Sequence, residues 1–574
     1  MAKKGSNKWA LLLTAAMLAS VVSGCSGKQE EARQSEPSIA SGEAAKPVAG
    51  EDGPLGKYDP PIELSAMKNL YGDERFLPGE DIGNNVWTRA YLEELGIKLH
   101  YDWAVAGDGF QQKVTMTIAS NDLPDLMTLP AKDYFALAKA GKLADLTPYF
   151  DKYASDTLKS TLNADGGMQL KTAYVEGKLY GIPQTGGSDG TADMIWIRAD
   201  WLKKLGLSEP RTLDDVIRIA RAFRNDDPDG DGVKNTFGIG FQKDLESGTG
   251  SFEGFLAAYH AYAKAWVKGE DGKIAYGAVR PGMKEALAKL REMFKEDLID
   301  VEFGVKDWKK VGEDIASGKI GLLYGREGLP WGTLKDSIVN NPDAEWISVP
   351  IVSADARPAK PATHVTLERY FAISANVHHP EALLKIINLF QEKINNKSTT
   401  LETLNKFGVD PDSGINFAAY AFGGLDPSVD KPNMYYQQIK SVIEGAEKRE
   451  NIHPEAIRYY DTIKHFIDNG RDKKSDPLGW NYYKFLGPEG SWKVIDHYRS
   501  NDLMEHSAWY GLPTATMSRK GATLDKLQAE NFVKIITGSA PVSDFDKFVA
   551  DWHKLGGDQI TAEVNEWYTE TFGQ

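Results

Sequence analysis

Between residues 61 and 127 the chain alternates short apolar segments with amphipathic ones, and this alternation restricts the fold more than any other feature. Pro61-Ile62-Glu63-Leu64-Ser65-Ala66 reads as a strand, and Trp87 to Leu95 as a helix stopped by Gly96. Ile97-Lys98-Leu99-His100-Tyr101 follows as a strand, Phe110 to Ser120 as a helix, and Leu123-Pro124-Asp125-Leu126-Met127 as a short buried strand. Strands separated by helices need crossover connections, so the expected class is α/β with a largely parallel sheet. Further on, Thr212 and Asp215 have the spacing of a capping box. Val216, Ile219, Ala220 and Phe223 then repeat at i, i+3, i+4, i+7 and define one apolar helix face. Beyond residue 400 the pattern is mostly helical and rich in aromatics. Phe545, Phe548, Val549 and Trp552 form a similar stripe there, closed by Gly556-Gly557.

The length of 574 residues suits two or three domains. The single cysteine, Cys25, rules out an intramolecular disulfide, so packing must supply the stability. Cys25 ends a cationic start (Lys3, Lys4, Lys8) and an apolar run from Trp9 to Val22. As a helix that run spans only about 21 Å, short of the ~30 Å bilayer core, and reads as a removable export signal. Val22-Ser23-Gly24-Cys25 resembles the lipobox of bacterial lipoproteins, which implies a signal peptide over 1–24 and an acylated (palmitate-type) Cys25 anchored at the extracellular face of the cell membrane. Residues 26–57 carry no aromatic side chain and few large apolar ones, so 25–57 is expected to be the acylated cysteine and a flexible tether. The formal charge of −15, or −18 without the leader's three lysines, disfavours nucleic acid and anionic lipid as partners.

Several segments resemble family 1 extracellular solute-binding proteins, the capture subunits of ABC importers. They are Ala119-Ser120-Asn121-Asp122-Leu123-Pro124-Asp125, Gly181-Ile182-Pro183, Trp196 to Leu207, and the ending from Phe545 through Gly556-Gly557-Asp558 to Trp567-Tyr568. The ending is similar to the large lipoprotein branch that includes alginate-oligosaccharide binders. The resemblance implies a two-lobe periplasmic-binding-protein-like fold with a hinge, a helix-rich C-terminal part and discontinuous lobes. These would be 58–188 with 349–400 (N-terminal) and 189–348 with 401–574 (C-terminal). It also implies a monomeric, non-enzymatic protein that takes an oligosaccharide in the interlobe cleft and hands it to permease subunits. A lipid-anchored polysaccharide-degrading enzyme and a ligand sensor partnering a membrane kinase are the alternatives.

Asp227-Pro228-Asp229-Gly230-Asp231-Gly232-Val233-Lys234-Asn235 places oxygen side chains at positions 1, 3, 5 and 9 with glycine at 6. That matches the first part of a calcium loop, with Asp227, Asp229, Asp231, the Val233 carbonyl and Asn235 as ligands. The twelfth position is Gly238 rather than the usual glutamate. Resemblance to the solute-binding family's calcium loop adds Thr236, at a position often acidic there, and implies a structural Ca2+. Gly186-Gly187-Ser188-Asp189-Gly190 formally fits G-x-S-x-G, but loop into strand follows where a nucleophile elbow needs a helix. Sugar rings offer apolar C–H faces for aromatic stacking and hydroxyls that need polar partners. The candidates in polar, loop-like surroundings are Trp87, Tyr324, Trp331, Trp509 and Tyr510. By resemblance, Trp331 is the stacking tryptophan delivered by a strand. Asp81, Asn84, Asn85 and Gln184 are the polar candidates, and Glu368 and Arg369 would line the return crossover. Trp201, Trp552 and Trp567 lie on apolar helix faces or in packing segments and are expected in the core.

Overall fold

The computed structural model of the protein describes residues 52–572, apart from 71, 73, 185, 187–188, 245–247, 270, 366–368, 412 and 426–430. The expectations for Cys25, for the leader and for Glu368 lie outside the described residues. The strands that organise the fold are β1 (Ile62–Leu70), β2 (Ile97–Ala106), β3 (Leu126–Pro130), β4 (Gly181–Pro183), β5 (Met194–Arg198), β6 (Leu322–Gly325), β7 (Trp346–Val349) and β8 (Arg369–Ile373). One sheet has the order β2-β1-β3-β8-β4, and a second has the order β6-β5-β7. β1 runs parallel to β2 and β3, whereas β8 is antiparallel to both β3 and β4. β8 enters from the other half of the molecule, which is why the sheet is mixed rather than parallel throughout. In the second sheet both neighbours are antiparallel to β5.

Local chemistry fixes the element ends. The helix Val86–Leu95 starts at Asn85, whose side chain accepts from Trp87 N and Thr88 N, while the Thr88 side chain accepts from Asn85 N. It stops at Gly96, where φ is 65° and a Cβ would come within 2.2 Å of the Tyr58 carbonyl. The helix Leu213–Asn225 starts on the Thr212–Asp215 capping box and buries Val216, Ile219, Ala220 and Phe223 completely. Each large side chain so buried contributes about 1.5–3 kcal/mol. β3 starts three residues later than the sequence suggested. Pro124 has no N–H to give the ladder, and Asp125 is held by the Ser65 hydroxyl and N–H at 2.9–3.2 Å instead.

Two hydrophobic cores result. The first gathers β1–β4 and β8 with Trp87, Tyr91, Tyr134 and Phe390, and the second gathers β5–β7 with Trp201, Phe255, Trp480, Trp492, Phe548 and Trp552. The chain passes between them after β4 (residues 184–193) and again between Thr363 and β8, and it returns to the second core between Leu425 and Tyr435. Val349, Ile351, Ala359 and Ala362 belong to the second core, and Ala362–Thr363 pairs with Glu505–His506. The boundary expected at 349 therefore moves to 364, because the chain beyond β7 stays bonded to the second half, as in Ile351 N to Tyr498 Oη at 2.7 Å. The boundary expected at 401 moves likewise: Leu404, Phe407, Phe417, Tyr420, Phe422 and Leu425 pack in the first core. The tether is also shorter than expected. Asn388 Nδ2 and Lys385 Nζ each donate over 2.8 Å to the carbonyls of Pro54 and Gly56. Backbone capture by polar groups orders 52–57 while Leu55, its one large apolar side chain, stays exposed, and composition carries no signal of such capture.

Candidate functional site

The chain leaves the first sheet after β4 and re-enters it at β8 on one edge. The carboxyl ends of β1, β2 and β3 lie there beside Pro183 of β4 and Arg369 at the start of β8, since Arg369 pairs with Pro130 and Tyr370 with Pro183. In α/β sheets the crevice beyond the strand carboxyl ends is where ligands bind. Both crossovers leave from this edge.

A cavity of about 920 Å³ opens here between the two cores. Ala131, Phe135, Lys139, Lys171, Tyr174 and Tyr370 form one wall, and Tyr510 to Pro513 with Trp567 and Glu570 form the other. Tyr370 is stacked on Tyr134 at 4.1 Å, and its hydroxyl meets Thr172 Oγ1 at 2.9 Å. Trp567 stands edge-on to Trp509 at 4.6 Å and to Tyr510 at 5.3 Å. Burial pushes the Tyr510 hydroxyl above its ordinary pKa. The expectation that Trp567 belongs to the core is corrected: it is half-buried and faces the cavity. Its position seven residues after the buried Ile560 puts it on the same helix stripe, so periodicity could not separate it from core residues.

A groove runs along the other side. Trp331 is 38% exposed, with its indole edge-on to Tyr482 at 4.7 Å and Phe485 at 5.7 Å. It lines a cavity of about 220 Å³ with Lys431, Glu455 and Tyr459. Lys431 and Glu455 also line a cavity of about 270 Å³ that reaches Gln184, Asn416 and Ala418 on the first-core side. Burial alone would raise the Glu455 carboxyl. The Lys431 ammonium at 3.0 Å and the tyrosine hydroxyls outweigh it and hold the carboxyl down at about 2. Gln184 and Arg369 also line a smaller pocket of about 50 Å³ at the end of β1.

The other candidates lie elsewhere. Trp87 is fully buried against Phe390 (5.3 Å) and Phe407 (5.0 Å), so its expected sugar contact is corrected to a core role. Tyr324 is fully buried too, close to Phe241 and Phe255 and directly beside Gly254. Asn85 is spent as the helix cap, with no exposed surface. Asp81 accepts from Gly83 N and Asn84 N at 2.8 Å, and Asn84 accepts from Arg89 at 3.3 Å; this exposed turn lines none of the cavities described. Trp509 supports Trp567 from behind rather than lining the cavity itself.

Buried polar groups tie the crossovers together. The His364 backbone N–H donates to Thr191 Oγ1 at 2.8 Å, and its ring nitrogen lies 3.3 Å from both Glu253 oxygens. Burial, and then the neighbouring Glu253 charge, push the Asp193 carboxyl up to about 7, while Gly254 N donates to it over 3.1 Å. Ser188 lies outside the described residues. The helix that a nucleophile elbow needs after it is replaced by a short 3-10 turn, Asp189–Thr191, leading into β5.

The acidic loop folds as a compact turn. Carboxylate oxygens of Asp227, Asp229 and Asp231 lie within 4.8 Å of one another. Asp227 accepts from Gly230 N at 3.1 Å and Gly232 N at 3.3 Å, and Asp231 accepts from Val233 N at 2.7 Å. Burial, the Asp231 charge and the bond to Asp227 together push the Asp229 carboxyl up, while the Lys204 ammonium donates to the Asp227 carbonyl at 2.9 Å beside the loop. This donor set fits a hard cation. The Val233 carbonyl accepts from Asn235 N at 2.9 Å, and Asn235 Nδ2 donates to Asp231 at 2.8 Å, so both expected ligands are bonded within the turn. Thr236 is corrected: it is buried, and its hydroxyl donates to the Phe223 carbonyl at 2.7 Å, away from the loop.

Two α/β cores joined by short crossovers thus flank an aromatic cavity. The chain belongs to the bacterial extracellular solute-binding proteins, whose family model matches residues 84–397. It is 25% identical over 489 residues to lipoprotein LipO of Bacillus subtilis, covering 84% of this chain and 88% of that one. It is 26% identical to the polygalacturonan/rhamnogalacturonan-binding protein YtcQ of the same organism, with 98% of each chain covered. Among solved structures, the human-milk-oligosaccharide (HMO)-binding solute-binding protein of Bifidobacterium longum infantis superposes with a TM-score of 0.58 at 16% identity, covering 89% of this chain and 99% of that one. The Streptococcus pneumoniae substrate-binding protein FusA, solved as an EF-hand mutant with fructo-nystose, gives 0.55 at 18%, with the same coverage. At these identities the structural likeness is one of fold.

Proposed function

We propose that this protein is the lipid-anchored capture subunit of an ABC importer for a polysaccharide-derived oligosaccharide held between the two lobes, a reading its full-length likeness to YtcQ supports. The cavity of about 920 Å³ carries this reading. It has the volume of a small-ligand to short-oligosaccharide site, aromatic rings on both walls, and polar groups of both signs at its rim. FusA, named for fructooligosaccharide transport, and YtcQ, named for pectic polymers, lend support from relatives. Incubating the protein with pectic, fructan and glucan oligosaccharides should return them unchanged. New reducing ends or unsaturated products would make it an enzyme instead.

The loop at Asp227–Asn235 is read as a structural calcium site, for which FusA's EF-hand gives precedent. A bound ion would neutralise the three crowded carboxylates and pin the turn to the helix Leu213–Asn225. Removal of calcium by chelator should lower the melting temperature by several degrees, since binding to the native state adds RT ln(1 + [L]/Kd). Asp229→Ala with Asp231→Ala should abolish that response. Unchanged melting after prolonged chelation, with no metal found by elemental analysis, would leave only a turn.

Cys25 is read as the acylated anchor, and the lipoprotein relative LipO supports it. Cys25→Ser should free the protein from membranes with its melting temperature unchanged. Retention on the membrane after a high-salt wash would contradict the anchor.

A further inference from the structure

The small pocket at the end of β1 has chemistry that the larger cavities lack. It holds about 50 Å³, too little for a sugar ring and about the size of one carboxylate with its contacts. Lys68, Asn69, Thr128, Gln184 and Arg369 line it, and it shares Gln184, Ala418, Ala419 and Gly424 with the groove leading to the second core. Lys68 is only 9% exposed. Its ammonium donates to the Ala421 carbonyl at 2.5 Å, and among the described residues it forms no ion pair. Burial pushes the ammonium down to about 8, a cost that a counter-charge would relieve. Thr128 is 5% exposed, and Asn69, Thr128 and Gln184 make no side-chain hydrogen bond within the described structure. The pocket is thus lined by two cationic side chains and three amide or hydroxyl side chains able to donate, with no carboxylate on its wall among the described residues. Neutral sugar hydroxyls would leave the buried ammonium without a counter-charge, whereas a carboxylate supplies one and accepts from the amide and hydroxyl donors beside it.

We propose that this pocket is a carboxylate subsite: Lys68, helped by Asn69, Thr128 and Gln184, takes the carboxylate of a uronic-acid unit, so that the captured oligosaccharide is acidic. The inference rests on the oligosaccharide-capture reading and narrows its ligand class. The overall negative charge of the chain does not oppose it: Glu74 is the carboxylate that acts on Lys68, yet burial still outweighs it, and a ligand carboxylate at contact distance would be screened far less than charges on the exposed surface. A charge-assisted bond of this kind contributes about 1.5–3 kcal/mol, or roughly 10- to 150-fold in affinity.

The test is calorimetry with trimers of galacturonate and of mannuronate, each as the free acid and as the methyl ester, beside neutral kestose. The expected result is that one free acid binds at least tenfold more tightly than its own ester and than kestose. Lys68→Met should abolish that difference while the fold, checked by melting, persists. The comparison of acid with ester on the unmodified protein stands even if the variant fails to fold. Equal affinity for acid and ester, or preference for kestose, would overturn the carboxylate subsite and leave oligosaccharide capture intact. An acid preference surviving in a folded Lys68→Met protein would move the subsite elsewhere. Binding of no sugar in this set or in a wider glycan panel would defeat the capture reading itself, and this inference with it.

Discussion

Trp87→Ala is expected to destabilise the first half of the protein by about 3–5 kcal/mol, the range for truncating a buried Trp or Phe. The indole has no exposed surface, stacks on Phe390 at 5.3 Å and meets Phe407 edge-on at 5.0 Å. Those two rings come from segments some 300 residues away, so the cavity would loosen contacts that hold distant parts of the chain together. Denaturant unfolding followed by near-UV circular dichroism should show the first transition shifted to lower denaturant, with sugar affinity at saturating protein stability unchanged. A protein of normal stability that had lost its affinity would return Trp87 to the binding site.

The opposite pattern is expected for Tyr510→Ala. Tyr510 is half-buried on the second-core wall of the large cavity, braced by Trp567 at 5.3 Å. Removing a central aromatic anchor typically costs about 2 kcal/mol of binding, or roughly 30-fold. Stability should change little, because the ring fills space shared with ligand rather than space shared only with protein. Calorimetry and melting on the same protein separate the two outcomes. A large loss of stability with affinity intact would make Tyr510 a strut between the lobes.

These two aromatics show where sequence reasoning succeeds and fails. The alternation from Ile62 to Met127 is legible because burial on sheets and helices imposes periods that survive in the chain; the first four elements fall where those periods put them, and the fifth starts three residues late. The Thr212–Asp215 box is legible because it is local. Ligand contact is not local. Polar neighbours around Trp87 suggested a cleft, yet Asn85 and Thr88 are there to cap a helix and only Arg89 faces solvent, while the indole turns inward. Tyr324 is flanked by Gly325, which looked loop-like but sits at the end of β6 with the Gly248 carbonyl close against it. Trp567 was hidden in a stripe with Ile560 and Val564, and only the position of the helix end against Tyr510 brings it to a cavity. Lobe boundaries misled for a related reason: a strand such as β7 is visible in sequence, but which half the following chain bonds to is set by partners as distant as Tyr498.

Capture of a sugar between two halves that close on it, each supplying one wall, has a direct signature in small-angle X-ray scattering of the protein titrated with the oligosaccharide giving the largest melting shift. Closure pairs both walls with the ligand only in the compact form, so saturation should lower the radius of gyration with the same midpoint as the calorimetric isotherm. Tyr510→Ala should shift both midpoints together to higher sugar concentration. Saturable binding with an unchanged radius of gyration would place the sugar outside the shared cavity and contradict the account.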